Sequence, residues 1–238
     1  MTEKMYRQER KYLLTNVKAY LLEQRISPIL SRDTHAGDDG AYRIRSVYFD
    51  TGNDMAYREK GMGISDREKI RLRFYNANTE VVKLERKEKK QNLVHKDVVL
   101  IRRDTAEEMI RGHFSGLLEY DSPLAREIYA KYQAEQLMPV VVVDYMRRAY
   151  VYPAADIRVT FDYEVQAEVV SGDFWEATDA YDVLGGQVIV EVKFNRYLPE
   201  HIKEMINSVQ GIKMALSKYV MCRDTLREKY GYLVGGKR

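Results

Sequence analysis

The chain has 238 residues, 45% hydrophobic and 32% charged, and its 39 basic and 36 acidic residues nearly cancel to a formal net charge of +3. That length suits one domain with a single core, the composition excludes disorder, and the small net charge excludes the global field of a nucleic-acid coat protein. The single cysteine, Cys222, excludes a disulfide framework and a cysteine-rich zinc site and fits a reducing compartment such as the cytoplasm, while the most apolar stretch, 139–143, is too short to span a membrane.

In chain order, runs rich in tyrosine and β-branched residues predict strands at 3–13, 41–50, 67–76, 80–89, 94–102, 140–152, 156–163 and 187–195. Short breakers such as Asn76-Ala77-Asn78 and Pro153-Ala154-Ala155 separate neighbours, as hairpins require. Helices are predicted at 16–25 behind a Thr15 cap, at 105–112 after Asp104, at 123–136 opening on Pro123, at 199–209 opening on Pro199, and at 217–230, where Val220, Met221, Leu226 and Tyr230 share one face. Between Ser31 and Gly40 the residues Asp33, Gly37, Asp38 and Asp39 read as a mobile loop. The eight strands predict a mostly antiparallel sheet, and no signal-peptide pattern, repeat or interdomain linker interrupts the pattern.

Charge alternation is the sharper signal. Lys69, Arg71 and Arg73 alternate with Ile70, Leu72 and Phe74, so one sheet face is cationic and the other apolar. Side chains at i and i+2 stand about 7 Å apart, a repulsive arrangement unless an anion or carboxylates offset it. The same period groups Lys83 with Glu85 and Lys87, Glu9 with Lys11, Tyr145 with Arg147, Arg158 with Asp162, and Glu191 with Lys193, the last pair opposite Val188, Val190, Val192 and Phe194. Periodicity alone leaves two architectures open. One is a conventional sandwich with a salt-bridged outer face; the other is a closed barrel whose charged interior surrounds a hydrated polyanion while helices cover the apolar outside.

The segments Glu9-Arg10-Lys11-Tyr12, Ser46-Val47-Tyr48-Phe49-Asp50, Lys69-Ile70-Arg71-Leu72-Arg73-Phe74-Tyr75, Leu84-Glu85-Arg86-Lys87, Tyr145-Met146-Arg147-Arg148-Ala149-Tyr150, Arg158-Val159-Thr160-Phe161-Asp162, Glu191-Val192-Lys193-Phe194 and Ser217-Lys218-Tyr219 carry a resemblance that covers 6–230. In that order they resemble the polyphosphate-polymerase domain of the vacuolar transporter chaperone (VTC) family. The resemblance implies an α+β, triphosphate tunnel metalloenzyme fold: a closed eight-stranded antiparallel β-barrel with helices packed on the outside. It also implies transfer of the γ-phosphoryl group of ATP to inorganic polyphosphate with Mn²⁺ or Mg²⁺. By motif, Lys11, Arg71, Arg73, Lys87, Lys96, Arg147, Arg158 and Lys218 are implied phosphate contacts, Tyr145 and Ser217 further contacts, and Glu191 the metal ligand. Lys69 and Lys193, on the same strand faces, are candidate substrate contacts, although Lys69 and Lys83 are equally readable as wall-lining charges.

Two positions depart from the family pattern. Hydrolytic relatives carry a Glu-x-Glu-x-Lys strand, whereas Arg7 stands in place of the first acid, which favours the polymerase branch. A base is expected two residues before Ser217, but Ala215 is there, and whether Lys213 substitutes is open. The chemistry implied needs little covalent help: arginine forks onto two phosphate oxygens, lysine neutralises charge, and a phosphate-chain end is already an anionic nucleophile that needs no strong general base. A hydrolase of the same fold and a non-catalytic polyphosphate-binding module are the competing readings.

Taken without the resemblance, Glu191 with Lys193 and Glu85 with Lys87 read as structural ion pairs, and the resemblance reverses that weighting. Glu9 and Asp162 are open between metal binding, orientation of bases and charge balance. The four histidines, His35, His95, His113 and His201, form no metal set, Cys222 reads as a packed residue, and the basic run 86–90 lacks the interleaved aromatics of a nucleic-acid site. The expected partners are therefore ATP and polyphosphate, with no nucleic acid and no membrane span, and any separate membrane partner is unknown.

Overall fold

The computed structural model describes residues 8–33, 40–76, 78–90, 93–171, 174–175, 179–195 and 197–231. Arg7, the opening of the first predicted strand, and positions 34–39 of the predicted loop, including His35, lie outside the described residues. The described elements are, in chain order, β1 (Gln8–Thr15), α1 (Asn16–Ile26), β2 (Ser31–Arg32), β3 (Ala41–Asp50), α2 (Met55–Gly61), β4 (Arg67–Tyr75), β5 (Asn78–Lys90), β6 (Leu93–Arg102) and α3 (Arg103–Ile110). They continue with α4 (Pro123–Glu135), β7 (Met138–Tyr152), β8 (Ile157–Glu168), β9 (Tyr181–Asp182), β10 (Gln187–Phe194), α5 (Glu200–Ser208), β11 (Ile212–Lys213) and α6 (Lys218–Tyr230).

All eight predicted strands are present, and β2, β9 and β11, two residues each, bring the described total to eleven. The hydrogen-bonded order is β11-β1-β10-β8-β7-β3-β4-β5-β6, with β2 beside β7 and β9 beside β8, and the sheet is mostly antiparallel. The expectation of an eight-stranded closed barrel is corrected to this extent. β11 and β6 stand at the two ends of the order, and no pairing between them closes the sheet among the described residues.

The chain forms two compact units, and β3, β7, β8 and β9 contribute residues to both. The first comprises Met1–Arg43, Tyr145–Val165 and Asp182–Ser217. Its core gathers the apolar faces of β1, β8 and β10, with Leu14, Val159, Val190, Val192 and Phe194, under Leu22 and Ile26 of α1 and Ile202 and Ile206 of α5. Thr15 caps α1 by accepting a hydrogen bond from the Lys18 amide, as its sequence position predicts.

The second unit comprises Ile44–Asp144, Gln166–Tyr181 and Lys218–Arg238. Here Val47, Ile70, Leu72, Phe74, Val82, Leu84 and Ile101 pack against Ala106 and Met109 of α3 and Leu124, Ala125 and Ile128 of α4. Each such aliphatic side chain contributes about 1.5–3 kcal/mol when fully buried. The single expected core is thus two clusters, because different helices cover the apolar faces of different strand groups.

Two helical details depart from prediction. Asp104 lies inside the first turn of α3, where its carboxylate favours the positive helix end, and does not precede the helix. In the short α2 the N-cap Asp54, at a left-handed φ of 56°, makes no side-chain capping bond; the Met55 amide donates to the Thr51 hydroxyl at 3.2 Å, and the amides of Ala56 and Tyr57 donate to Asp50 of β3 at 2.9 and 3.1 Å. A cap supplied from the end of another element leaves no pattern inside the helix itself.

Candidate functional site

Both units carry a charged sheet face opposite their apolar one. In the second unit the hairpin joining β4 and β5 turns through Asn76 at a φ of 52°, a conformation that asparagine tolerates. Its register sets Lys69 opposite Lys87, Arg71 opposite Glu85, and Arg73 opposite Lys83. The β5–β6 register adds Lys96 opposite Lys87 and Val98 opposite Glu85. Directly opposed side chains share a sheet face, so Lys69, Lys87 and Lys96 form one row of like charge across three strands.

Glu85 organises the next row. It is fully buried, accepts from Arg71 Nε at 2.8 Å and from Lys96 Nζ at 3.1 Å, and lies 3.6 Å from Arg73 NH1. Burial alone would raise its pKa, but the charges of Arg71, Arg73 and Lys96 outweigh burial and hold the carboxyl well below the usual carboxylate range. Lys96 is pushed below the ordinary lysine value, first by burial and also by Arg71 and Arg73, with Glu85 opposing the shift. An anion placed among these cations would oppose the repulsion that Arg71 and Arg73 add. Arg71 NH1 also donates to the Tyr48 hydroxyl at 2.7 Å, and Arg73 Nε to the Ser46 hydroxyl at 3.4 Å, so β3 fixes both guanidinium groups. Lys69 lies over the Tyr219 ring at 5.1 Å, and the Tyr219 hydroxyl donates to Asp50.

The first unit builds its face differently. Lys11 pairs with Glu9 at 2.8 Å and donates to the Leu216 carbonyl at 3.2 Å, while Lys193 pairs with Glu191 at 3.0 Å. The β1–β10 register sets Glu9 opposite Lys193 and Lys11 opposite Glu191, which makes a two-by-two alternation of sign. Arg147, 6% exposed, donates Nε and NH2 to the fully buried Asp162, the latter at 2.7 Å, and lies over the Tyr145 ring at 5.3 Å. Burial opposes the Arg147 charge, yet Asp162 keeps its pKa well above the ordinary arginine value. Arg158 NH2 donates to Asp33 at 2.6 Å and to the Tyr42 hydroxyl at 2.9 Å. Its buried Nε and the buried Thr160 hydroxyl have no hydrogen-bond partner among the described residues. Two buried polar groups on one strand face, each with spare hydrogen-bonding capacity, suit an oxygen-rich ligand.

Each implied site residue on a strand therefore lies on one of these two faces. In the first unit are Lys11, Tyr145, Arg147, Arg158, Glu191 and Lys193; in the second are Lys69, Arg71, Arg73, Lys87 and Lys96. Ser217 directly precedes α6 and Lys218 opens it. Lys213 sits opposite Tyr12, on the side of β1 away from Lys11, and so does not supply the base missing at Ala215 on that face. Sequence reasoning passed over Thr160, although its alternation with Val159 and Phe161 places it with Arg158 and Asp162. It also passed over Ser46 and Tyr48 as guanidinium partners, a role that depends on long-range register.

Among the described residues no group of three or more His, Cys, Asp or Glu side chains is arranged to hold a metal ion. Glu191, 5% exposed and flanked by Lys193 and Lys11, fits a small divalent cation only where phosphate oxygens and water supply the remaining ligands, a common mode for Mg²⁺. No helix among the described residues is long and apolar enough to cross a membrane.

A family model described as VTC domain matches residues 6–227. No curated protein matches the chain by sequence. Among solved structures, a conjectured adenylate cyclase of Bacillus halodurans, bh2851, superposes with a TM-score of 0.54 at 13% identity, covering 90% of this chain and 95% of that one. The PH1819 protein of Pyrococcus horikoshii OT3 gives 0.48 at 13% identity, covering 94% and 99%. The Bacillus likeness shows a shared fold.

Proposed function

The chain belongs to the VTC domain family, and from that premise we propose that it is a polyphosphate polymerase, transferring the γ-phosphoryl group of ATP to the end of an inorganic polyphosphate chain. The observation that carries this proposal is the lysine row Lys69, Lys87 and Lys96 beside the Arg71, Arg73 and Glu85 cluster, a concentration of positive charge that a chain of phosphates complements.

In the transfer, a terminal oxygen of the polyphosphate forms a bond to the γ-phosphorus of ATP as the bond from that phosphorus to the β-bridging oxygen breaks, and ADP leaves with the electron pair. Little proton movement is needed, so the protein's part is alignment and charge stabilisation. Arg71 and Arg73, each fixed by a β3 hydroxyl and by Glu85, present preset forks to phosphate oxygens, while Lys87 and Lys96 neutralise the chain. Lys11, Arg147, Arg158 and Lys193 have the same part on the first unit's face, and Tyr145, Ser217 and Lys218 are further phosphate contacts. Mn²⁺ or Mg²⁺ held by Glu191 would supply charge neutralisation of the phosphoryl oxygens.

The test is incubation of the purified chain with ATP and Mn²⁺, resolution of products by length on a gel, and Arg73→Ala as control. Long chains formed with ADP and absent in the variant are expected. Orthophosphate alone would point to a hydrolase, and binding of polyphosphate without metal-dependent turnover to a binding module.

A further inference from the structure

The charged face of the second unit changes character at one flank. Following β5 from Glu85 through Lys83 to Val81, and β6 from Lys96 through Val98 and Leu100 to Arg102, the cations give way to three exposed aliphatic side chains on the same face. Val81 is 52%, Val98 43% and Leu100 56% exposed. Val98 and Leu100 are neighbours at i and i+2, and Val81 lies diagonally across from Leu100, so the three form one patch. The next cation along β6, Arg102, is tied to Asp104 at 3.2 Å and Glu119 at 2.6 Å, which marks the patch as the end of the phosphate-attracting strip.

We infer that this patch seats the purine base of the nucleotide, with Val81, Val98 and Leu100 as its apolar contacts. The inference rests on the polymerase reading of the same face. A nucleoside triphosphate is strongly anionic at one end and flat and poorly hydrated at the other, and the strip has the same polarity. Arg71, Arg73 and Lys96 converge on Glu85, which Val98 borders directly across the strands; Leu100 lies one pair further along, opposite Lys83, and Val81 four residues from Glu85 along β5, about 13 Å at strand rise. Between them Lys83 lies over the Tyr75 ring at 4.7 Å, within the middle of the strip. The three aliphatic side chains offer surface and no hydrogen-bonding atom, so they hold the plane of a base without reading its edge. ATP and GTP are therefore expected to bind alike, and both more tightly than inorganic tripolyphosphate.

The experiment compares wild type with a Val98→Ser, Leu100→Ser double variant, which removes only exposed apolar surface. Calorimetric titrations use the β,γ-imido analogues of ATP and GTP and, separately, inorganic tripolyphosphate. The double variant is expected to lose about tenfold in affinity for both analogues and to keep the wild-type affinity for tripolyphosphate. Equal losses for analogues and tripolyphosphate, or no loss for either, would overturn the base seat while leaving the phosphate site standing. Failure of wild type to bind any of the three would overturn the phosphate-site reading and the base seat together. Sedimentation supplies one further arm: self-association of wild type that the double variant abolishes, with analogue affinity unchanged, would assign the patch to a second copy of this chain.

Discussion

The two charged faces handle like side chains in opposite ways. In the first unit each cation has its own carboxylate: Lys11 with Glu9, Lys193 with Glu191, Arg147 with Asp162, and Arg158 with Asp33. On β4 to β6 of the second unit, Lys69, Arg71, Arg73, Lys83, Lys87 and Lys96 share a face with one carboxylate, Glu85. The first face is balanced and preset, its geometry fixed before any ligand arrives. On β4 to β6 the second gathers its cations around one carboxylate, and a polyanion complements such a concentration of positive charge.

The comparison breaks most visibly at Asp162. Removing one partner of a buried charge pair leaves the other uncompensated, at a cost of about 3–5 kcal/mol. Asp162→Asn is therefore expected to lower the denaturation midpoint sharply, and tripolyphosphate, bound to a face whose cations already have partners, should restore little of the loss. A midpoint within a degree or so of wild type would show the preset geometry of the first unit to be independent of this pair.

The next largest effect is on turnover. Arg71→Ala removes a fork whose position is fixed by Tyr48 and Glu85, and losing one such preorganised donor costs about 10²–10³ in kcat. Glu191→Gln is expected to lose turnover as well, in both cases with the far-ultraviolet circular dichroism of wild type. Full activity in either variant, measured as chain growth from ATP, would remove that residue from the site.

Glu85 sharpens the contrast through pH. Its folded pKa lies well below the usual carboxylate range, against an unfolded value of about 4.3. A carboxyl depressed in this way contributes stability that is fully present above the unfolded value and is lost as pH falls through the folded one. The stability difference between wild type and Glu85→Gln should be constant above about pH 5.5 and shrink progressively below about pH 4. A difference unchanged down to pH 3, followed by urea titration, would mean that the three cations do not act on Glu85 in solution.

Much of this was readable from period-two alternation. Ile70, Leu72 and Phe74 are buried on one side of β4 while Lys69, Arg71 and Arg73 stand on the other, as a strand in that register requires. Alternation left two architectures open, and it is burial that speaks against one of them: Glu85, Asp162 and Glu191 are buried, which a solvated outer face would not produce. What alternation could not supply was register between strands. That Lys69, Lys87 and Lys96 form a row, and that Glu85 gathers three cations and does not simply pair with Lys87, depends on which residues of β4 and β6 face β5. The α2 helix was missed for a related reason, since its capping carboxylate, Asp50, sits at the end of β3.

The smallest effect isolates the lysine row itself. Lys87 stands between Lys69 and Lys96, and like charges directly opposed across strands destabilise by roughly 0.2–1 kcal/mol. Lys87→Met retains most of the side-chain stem and removes the charge, so the ligand-free protein should become slightly more stable while tripolyphosphate binding weakens. Ligand present at a hundred times its Kd raises stability by about 2.7 kcal/mol, and at the same concentration the variant should show a smaller rise. A gain in ligand-free stability together with a smaller ligand-induced rise is the signature of a face built to be completed by an anion. Loss of stability with an undiminished ligand response would instead make Lys87 a structural partner, and the second face would then be balanced in the manner of the first.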